Sequence, residues 1–130
     1  RTGMLLNADD TLAALTDPSQ RILDARAHER YRGDVEPVDP VAGHIPGALN
    51  RPFALNLRDG VFKPAEELRR EFEVVLAGRA PAQLIHQCGS GVSACANIIA
   101  MEHAGLAGSR LYAGSWSEWC ADPARPVARS

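Results

Sequence analysis

The side chains best suited to nucleophilic or metal chemistry in this 130-residue sequence are three cysteines (88, 95 and 120) and four histidines (28, 44, 86 and 103). One cysteine stands in a pattern built for reactivity. Leu84-Ile85-His86-Gln87-Cys88-Gly89-Ser90-Gly91-Val92-Ser93-Ala94-Cys95 reads as a buried strand, a cysteine, a short glycine-bearing loop and a helix. Gly89 and Gly91 allow a tight loop, and both are expected to use the positive φ that glycine adopts without steric cost. From Val92 onward, Val92, Ala96, Ile99 and His103 recur at helical spacing. Such a loop turns backbone N–H groups, and the positive end of a helix, toward whatever occupies its centre. Here that is the sulfur of Cys88. Convergent N–H donors favour the thiolate, the reactive form of cysteine.

Two thiol chemistries use a loop of this kind. Phosphate-ester hydrolysis pairs the cysteine with an arginine six positions on, whose guanidinium grips phosphate oxygens through parallel hydrogen bonds. The corresponding residue is Ala94, and the loop holds neither Arg nor Lys. The alternative is sulfur transfer, in which the thiolate takes a sulfur atom from a donor, holds it as a persulfide and passes it to a nucleophile. A compact, neutral loop of N–H donors suits a persulfide anion. A buried packing role is the competing reading for Cys88, but a packing cysteine has no need of Gly-x-Gly behind it or of Ser90 beside it.

The other reactive side chains form no second constellation. Cys95, inside the helix, and Cys120, near the end, read as packing residues. The odd cysteine count and the absence of a CxxC pair argue against a disulfide framework or a zinc site. The histidines show no HExxH spacing, so neither metal nor cofactor is expected. His86 precedes Cys88 by two residues and shares its face of the strand; it reads as a sheet residue and not as a base.

The rest of the chain supplies alternating strands and helices. Met4-Leu5-Leu6 opens as a strand, and Asn7 or Asp9 caps a helix running through Leu12 and Leu15. Ile22 to Ala25 is a core strand, with Asp24 and Arg26 at the carboxyl end where α/β sheets place functional groups. Residues 27–31 form a helical turn, and Gly33 to Pro46 is a loop rich in Pro, Asp and Gly. Pro46-Gly47 signals a tight turn before a short strand at 48–50. Arg58 to Val61 is a turn. Pro64-Ala65-Glu66-Glu67 opens a helix with an apolar stripe of Leu68, Phe72, Val75 and Leu76, stopped by Gly78. Arg110 to Ala113 is a strand, and Gly114 to Trp119 a loop entering a short helix. The tail from Asp122 is expected to be poorly ordered. The alternation predicts an α/β fold with a parallel sheet and helices on both faces.

Composition bounds the function. The length suits one domain, and the formal net charge of −2 gives no reason to expect nucleic acid or an anionic membrane. The longest apolar run, Ala94 to Met101, is interrupted by Asn97 and falls far short of a membrane span. No basic-then-apolar segment opens the chain, and reduced cysteines fit a cytoplasmic setting. The first residue is Arg1, which leads us to expect a piece of a longer protein.

Several of these segments together resemble the rhodanese-like sulfurtransferases, and in particular the catalytic C-terminal half of tandem-domain members. Leu23-Asp24-Ala25-Arg26, Arg30-Tyr31-Arg32-Gly33, Gly43-His44-Ile45-Pro46-Gly47-Ala48 and Gly114-Ser115-Trp116-Ser117-Glu118-Trp119 are each similar to a family segment. The resemblance covers nearly all of residues 1–130 and implies one rhodanese-like catalytic domain with a central parallel five-stranded sheet. It also implies a nucleophile at Cys88 and a loop from Gly89 through Ser90, Gly91, Val92, Ser93 and Ala94 that cradles the transferred sulfur.

Cys88-Gly89-Ser90-Gly91-Val92-Ser93 resembles the 3-mercaptopyruvate type, whereas thiosulfate-preferring members usually carry a basic Cys-Arg-Lys-Gly-Val-Thr loop. Arg30 matches the position of a substrate-binding arginine. Ser90 matches a serine linked to proton transfer with a His and an Asp of the N-terminal domain, which makes that domain an expected partner. The position nine residues after Arg30, often a second arginine, is Asp39. The expected substrates are a small sulfur donor, 3-mercaptopyruvate or thiosulfate, and a thiol or cyanide acceptor. A regulatory module that carries sulfur to a protein partner is the non-enzymatic alternative, and a phosphatase of the same fold the other enzymatic one.

Overall fold

The fold is known from a computed structural model that describes residues 5–36, 39, 41–89 and 92–129. Five short strands make one parallel sheet in the order β1-β7-β6-β2-β3: β1 (Leu5–Leu6), β7 (Arg110–Tyr112), β6 (Leu84–Gln87), β2 (Arg21–Asp24) and β3 (Leu49–Asn50). The expected five-stranded parallel sheet is present. Met4 lies outside the described residues.

β6 is the central strand, and all four of its residues are buried. That is the pattern of a parallel strand covered on both faces. Side chains alternate across it. Ile22 and Ile85 point into a core with Ile45, Tyr112, Trp116 and Trp119. Leu23 and Leu84 point into a second core with Leu68, Phe72, Met101 and Leu106. The first core is covered by α1 (Ala8–Ala14) and α5 (Ser115–Trp119), the second by α3 (Ala65–Leu76) and α4 (Val92–His103).

Local chemistry accounts for the helix ends. Asn7 caps α1 through a reciprocal pair: its Oδ1 accepts the Asp10 N–H at 2.8 Å, and Asp10 Oδ2 accepts the Asn7 N–H at 3.2 Å. Helix α3 ends at Leu76, two residues before the expected glycine, with Ala77 itself at φ +50° and Gly78 at +87°. The turn at Arg58–Val61 joins a two-residue hairpin, β4 (Leu57–Arg58) and β5 (Val61–Phe62), through Asp59 and Gly60, both at positive φ.

Two expectations fail. The tail from Asp122 is tied down. The His44 and Ala128 backbones exchange two hydrogen bonds of 2.8 Å, the Trp119 indole donates to the Pro126 carbonyl, and the Arg129 guanidinium donates to the Gly33 carbonyl. The expectation rested on the terminal position of the segment, but polar bonds tie it to the loop before β3 and to α5. Cys95, expected to pack, is exposed on α4, since the buried side of that helix is carried by Ala94, Asn97, Ala100 and Met101.

His86 is fully buried on the face that holds Leu23 and Leu84, and neither ring nitrogen has a hydrogen-bond partner among the described residues. Burial drives its pKa down to about 3 from the ordinary 6.5. A histidine depressed in the folded state binds its proton better when unfolded. Its stability contribution is therefore complete above pH 6.5 and is lost as pH falls toward 3. Unfolding free energy measured by denaturant titration should decline between pH 7 and 5, by at most about 1.4 kcal/mol per pH unit from this group. A His86→Leu variant should lose that part of the slope; an unchanged slope would assign it to other groups.

Candidate functional site

Cys88 follows the last residue of β6, at the carboxyl end of the central strand, and its side chain is buried against Ala25 and Ala94. Its peptide groups are fixed from the side by the start of α5. The Cys88 N–H donates to Ser115 Oγ at 3.0 Å, and that hydroxyl donates in turn to the Tyr112 carbonyl at 2.8 Å. The Cys88 carbonyl accepts the Trp116 N–H at 2.8 Å, and the Gly89 carbonyl accepts the Ser117 N–H at 2.9 Å. Helix α5 thus spends its unpaired N-terminal N–H groups on the backbone of the cysteine loop. Ser115 reaches this position at φ +54°, a conformation uncommon for a residue with a side chain.

Arg30 comes from α2 (His28–Arg32), which ends at Gly33 with φ +88°. Its guanidinium lies over the loop: a Cβ built on Gly89 would stand 3.3 Å from one terminal nitrogen and 3.4 Å from the other. Gly89 is absent from the positive-φ residues. Its lack of a side chain therefore serves the close approach of Arg30, not an unusual backbone angle, which corrects the expectation.

Arg30 is held by two carboxylates, Glu36 at 3.1 Å and Asp39 at 3.7 Å. Asp39 is fixed in turn: its N–H donates to Glu36 Oε2 at 2.9 Å, and its Oδ1 accepts the Ser117 hydroxyl at 2.7 Å. On the other side Arg26 forks onto Asp24 through Nε and a terminal nitrogen, at 3.1 and 2.7 Å, and donates to the Gly43 carbonyl. Arg26 also approaches Glu36 at 3.5 Å and lies 4.9 Å above the Trp116 ring. Three carboxylates and two guanidiniums therefore alternate from the end of β2 to Gly89.

Of the residues singled out from sequence, Cys88, Gly89, Arg30 and Ala94 meet here. Ala94 does so from inside α4, fully buried. Ser93 is half-buried in the first turn of α4, and Val92 is the first residue of that helix. Ser90 and Gly91 lie outside the described residues. Asp24 and Arg26 pair with each other. His44 Nδ1 lies 2.6 Å from the Tyr31 carbonyl, and its ring stacks on Tyr31 at 3.9 Å, so it organises its own turn.

Cys120, at the end of α5, is buried; burial first, and then the Asp39 carboxylate, push its thiol above the usual range. Glu36, Ser115 and Ser117 received no role from sequence. The last two sit in the quoted Gly114–Trp119 segment, and that segment was the one available signal. No group of three or more His, Cys, Asp or Glu side chains suited to a metal ion occurs among the described residues, and no described helix is long and apolar enough to cross a membrane.

Comparison with known proteins places this geometry. The family model described as rhodanese-like domain matches residues 7–122. The chain is 53% identical over 126 residues to a probable 3-mercaptopyruvate sulfurtransferase of Pseudomonas aeruginosa, covering 96% of this chain and 44% of that protein. It is 47% identical over 112 residues to a putative thiosulfate sulfurtransferase of Mycobacterium tuberculosis, covering 83% and 38%. Among solved structures, the 3-mercaptopyruvate sulfurtransferase of Leishmania major superposes with a TM-score of 0.72 at 34% identity, over 91% of this chain and 33% of that one. The chain belongs to the rhodanese-like domain family, and it spans less than half the length of these curated relatives.

The Ser115 hydroxyl is the acceptor for a buried peptide N–H. Ser115→Ala should destabilise the fold by about 1–3 kcal/mol, the cost of leaving such a donor unpaired. Thermal or denaturant unfolding would measure it, and a loss indistinguishable from zero would mean that the Cys88 N–H finds another acceptor.

Proposed function

We propose that this domain is a sulfurtransferase in which Cys88 carries sulfur as a persulfide. The observation that carries this reading is the setting of Cys88: a thiol at the end of the central strand, its peptide groups fixed by Ser115 and Trp116, with the Arg30 guanidinium over the adjacent Gly89. The kinship with 3-mercaptopyruvate and thiosulfate sulfurtransferases supports the reaction class.

In the first half-reaction the Cys88 thiolate attacks the donor's sulfur. The bond from that sulfur to the rest of the donor breaks, and its electron pair leaves with the donor remnant: sulfite from thiosulfate, or the enolate of pyruvate from 3-mercaptopyruvate, which then takes a proton. In the second half-reaction a thiolate or cyanide attacks the outer sulfur, and the electron pair of the S–S bond returns to Cys88. Arg30 holds the donor's carboxylate or sulfonate through charge-assisted hydrogen bonds. We assign stabilisation of the persulfide to Gly89, Ser90, Gly91, Val92, Ser93 and Ala94. Ser90 delivers a proton in concert with groups from a preceding rhodanese-like domain, which we place in the same longer chain. A loop without Arg or Lys leaves the donor charge to be met by Arg30 alone, and this favours 3-mercaptopyruvate over the compact thiosulfate dianion.

Intact-protein mass spectrometry after incubation with either donor should show a gain of ~32 Da that maps to Cys88, as expected of a reactive thiolate. Cys88→Ser should show none. Arg30→Met should raise KM for the carboxylate donor on the order of tenfold or more. Failure of both donors to leave sulfur on the wild-type protein would end the sulfurtransferase reading.

A further inference from the structure

Two carboxylate oxygens of the alternating chain make no hydrogen bond among the described residues, Glu36 Oε1, which faces Arg26 at 3.5 Å, and Asp39 Oδ2. The Asp39 side chain is 9% exposed, and Oδ1 is committed to the Ser117 hydroxyl at 2.7 Å. Oδ2 has no hydrogen bond among the described residues; its nearest cation is Arg30, at 3.7 Å, beyond hydrogen-bond range. Arg30 matches it with an unpartnered Nε and a guanidinium that remains 24% exposed. A carboxylate oxygen buried without a donor is costly. Both groups converge on one place, since Ser117 also donates its N–H to the Gly89 carbonyl and Arg30 covers Gly89. Gly89, the residue after Cys88, is thus flanked by a positive group and a negative one, each with a polar atom that makes no hydrogen bond among the described residues.

We propose that Asp39 is a specificity-determining residue that selects, as sulfur acceptor, a small thiol bearing an ammonium group beside its carboxylate. The inference rests on the persulfide chemistry proposed for Cys88. The carboxylate of such a zwitterion meets Arg30, and its ammonium donates to Asp39 Oδ2. Its thiolate attacks the outer sulfur of the persulfide; the S–S bond breaks with its electron pair on Cys88, and the acceptor leaves as its own persulfide. An acceptor without the ammonium, like the 3-mercaptopyruvate donor, meets Arg30 through its carboxylate but leaves Oδ2 unpaired, and a site with a buried unpaired polar group favours the ligand that pairs with it over the analogue that cannot.

L-cysteine and 3-mercaptopropionate share a thiol and a carboxylate and differ by the ammonium group. Calorimetric titration of the full chain carrying Cys88→Ser should give tighter binding of cysteine, on the order of tenfold. This comparison needs no change at Asp39. In otherwise wild-type protein, Asp39→Asn should abolish the difference in KM between the two thiols, and Asp39→Glu should restore part of it. Equal binding of the two thiols, or a preference that survives Asp39→Asn, would overturn the proposal. If the preference appears but no donor ever loads Cys88, the recognition stands and the persulfide reading falls. If Cys88 loads and the preference is absent, only the present inference falls.

Discussion

The cysteine loop depends on hydrogen bonds made to it by a helix that comes 27 residues later in the chain. A strand that ends in a loop leaves carbonyl groups with no ladder partner, and a helix that begins leaves N–H groups with none. Here each deficit is filled by the other: Trp116 and Ser117 donate to Cys88 and Gly89, and the Ser115 hydroxyl takes the Cys88 N–H. The price is the left-handed backbone at Ser115. Because Trp116 is also a fully buried member of the core between the sheet and α5, the loop cannot shift without disturbing that core.

Electrostatics extends the same constraint outward. Asp24 at the end of β2 forks onto Arg26, Arg26 reaches Glu36, Glu36 reaches Arg30, and Arg30 faces Asp39. Isolated charges at this depth would carry a large desolvation penalty, and alternation is what makes their burial tolerable. The arrangement also fixes where charge is available. Asp24 and Arg26 are almost wholly enclosed, whereas Arg30 is a quarter exposed. The cation at the site is thus supplied through space, over a glycine, and not by the loop itself.

The fold was largely legible in the sequence because it rests on period and punctuation. The run Ile22–Leu23, the strand Leu84–Ile85, the stripe of Leu68, Phe72 and Leu76 and the glycine of Pro46-Gly47 all act locally, and the structure places them as elements and turns. The cysteine was legible for the same reason, since strand, loop and helix are contiguous around it. The charge chain was not legible. It joins Asp24, Glu36, Asp39 and Ser117, whose meeting is set by tertiary placement and by no spacing. Asp39 stood out from sequence only as a cation missing from an expected position, which said nothing of its engagement with Arg30. The tail failed for a related reason, because the exchange between His44 and Ala128 uses backbone groups that every residue owns.

Gly89 joins the two levels. A side chain there would meet the Arg30 guanidinium, so the residue after Cys88 is small where a group from another element comes close. A basic residue at that place would supply a positive charge directly, but its Cβ would press on the Arg30 guanidinium, which would have to give by a few tenths of an ångström. A glycine there and an arginine held between Glu36 and Asp39 fit together without that adjustment. The open space at Gly89 and the acidic support at Glu36 and Asp39 together set which charges stand beside Cys88.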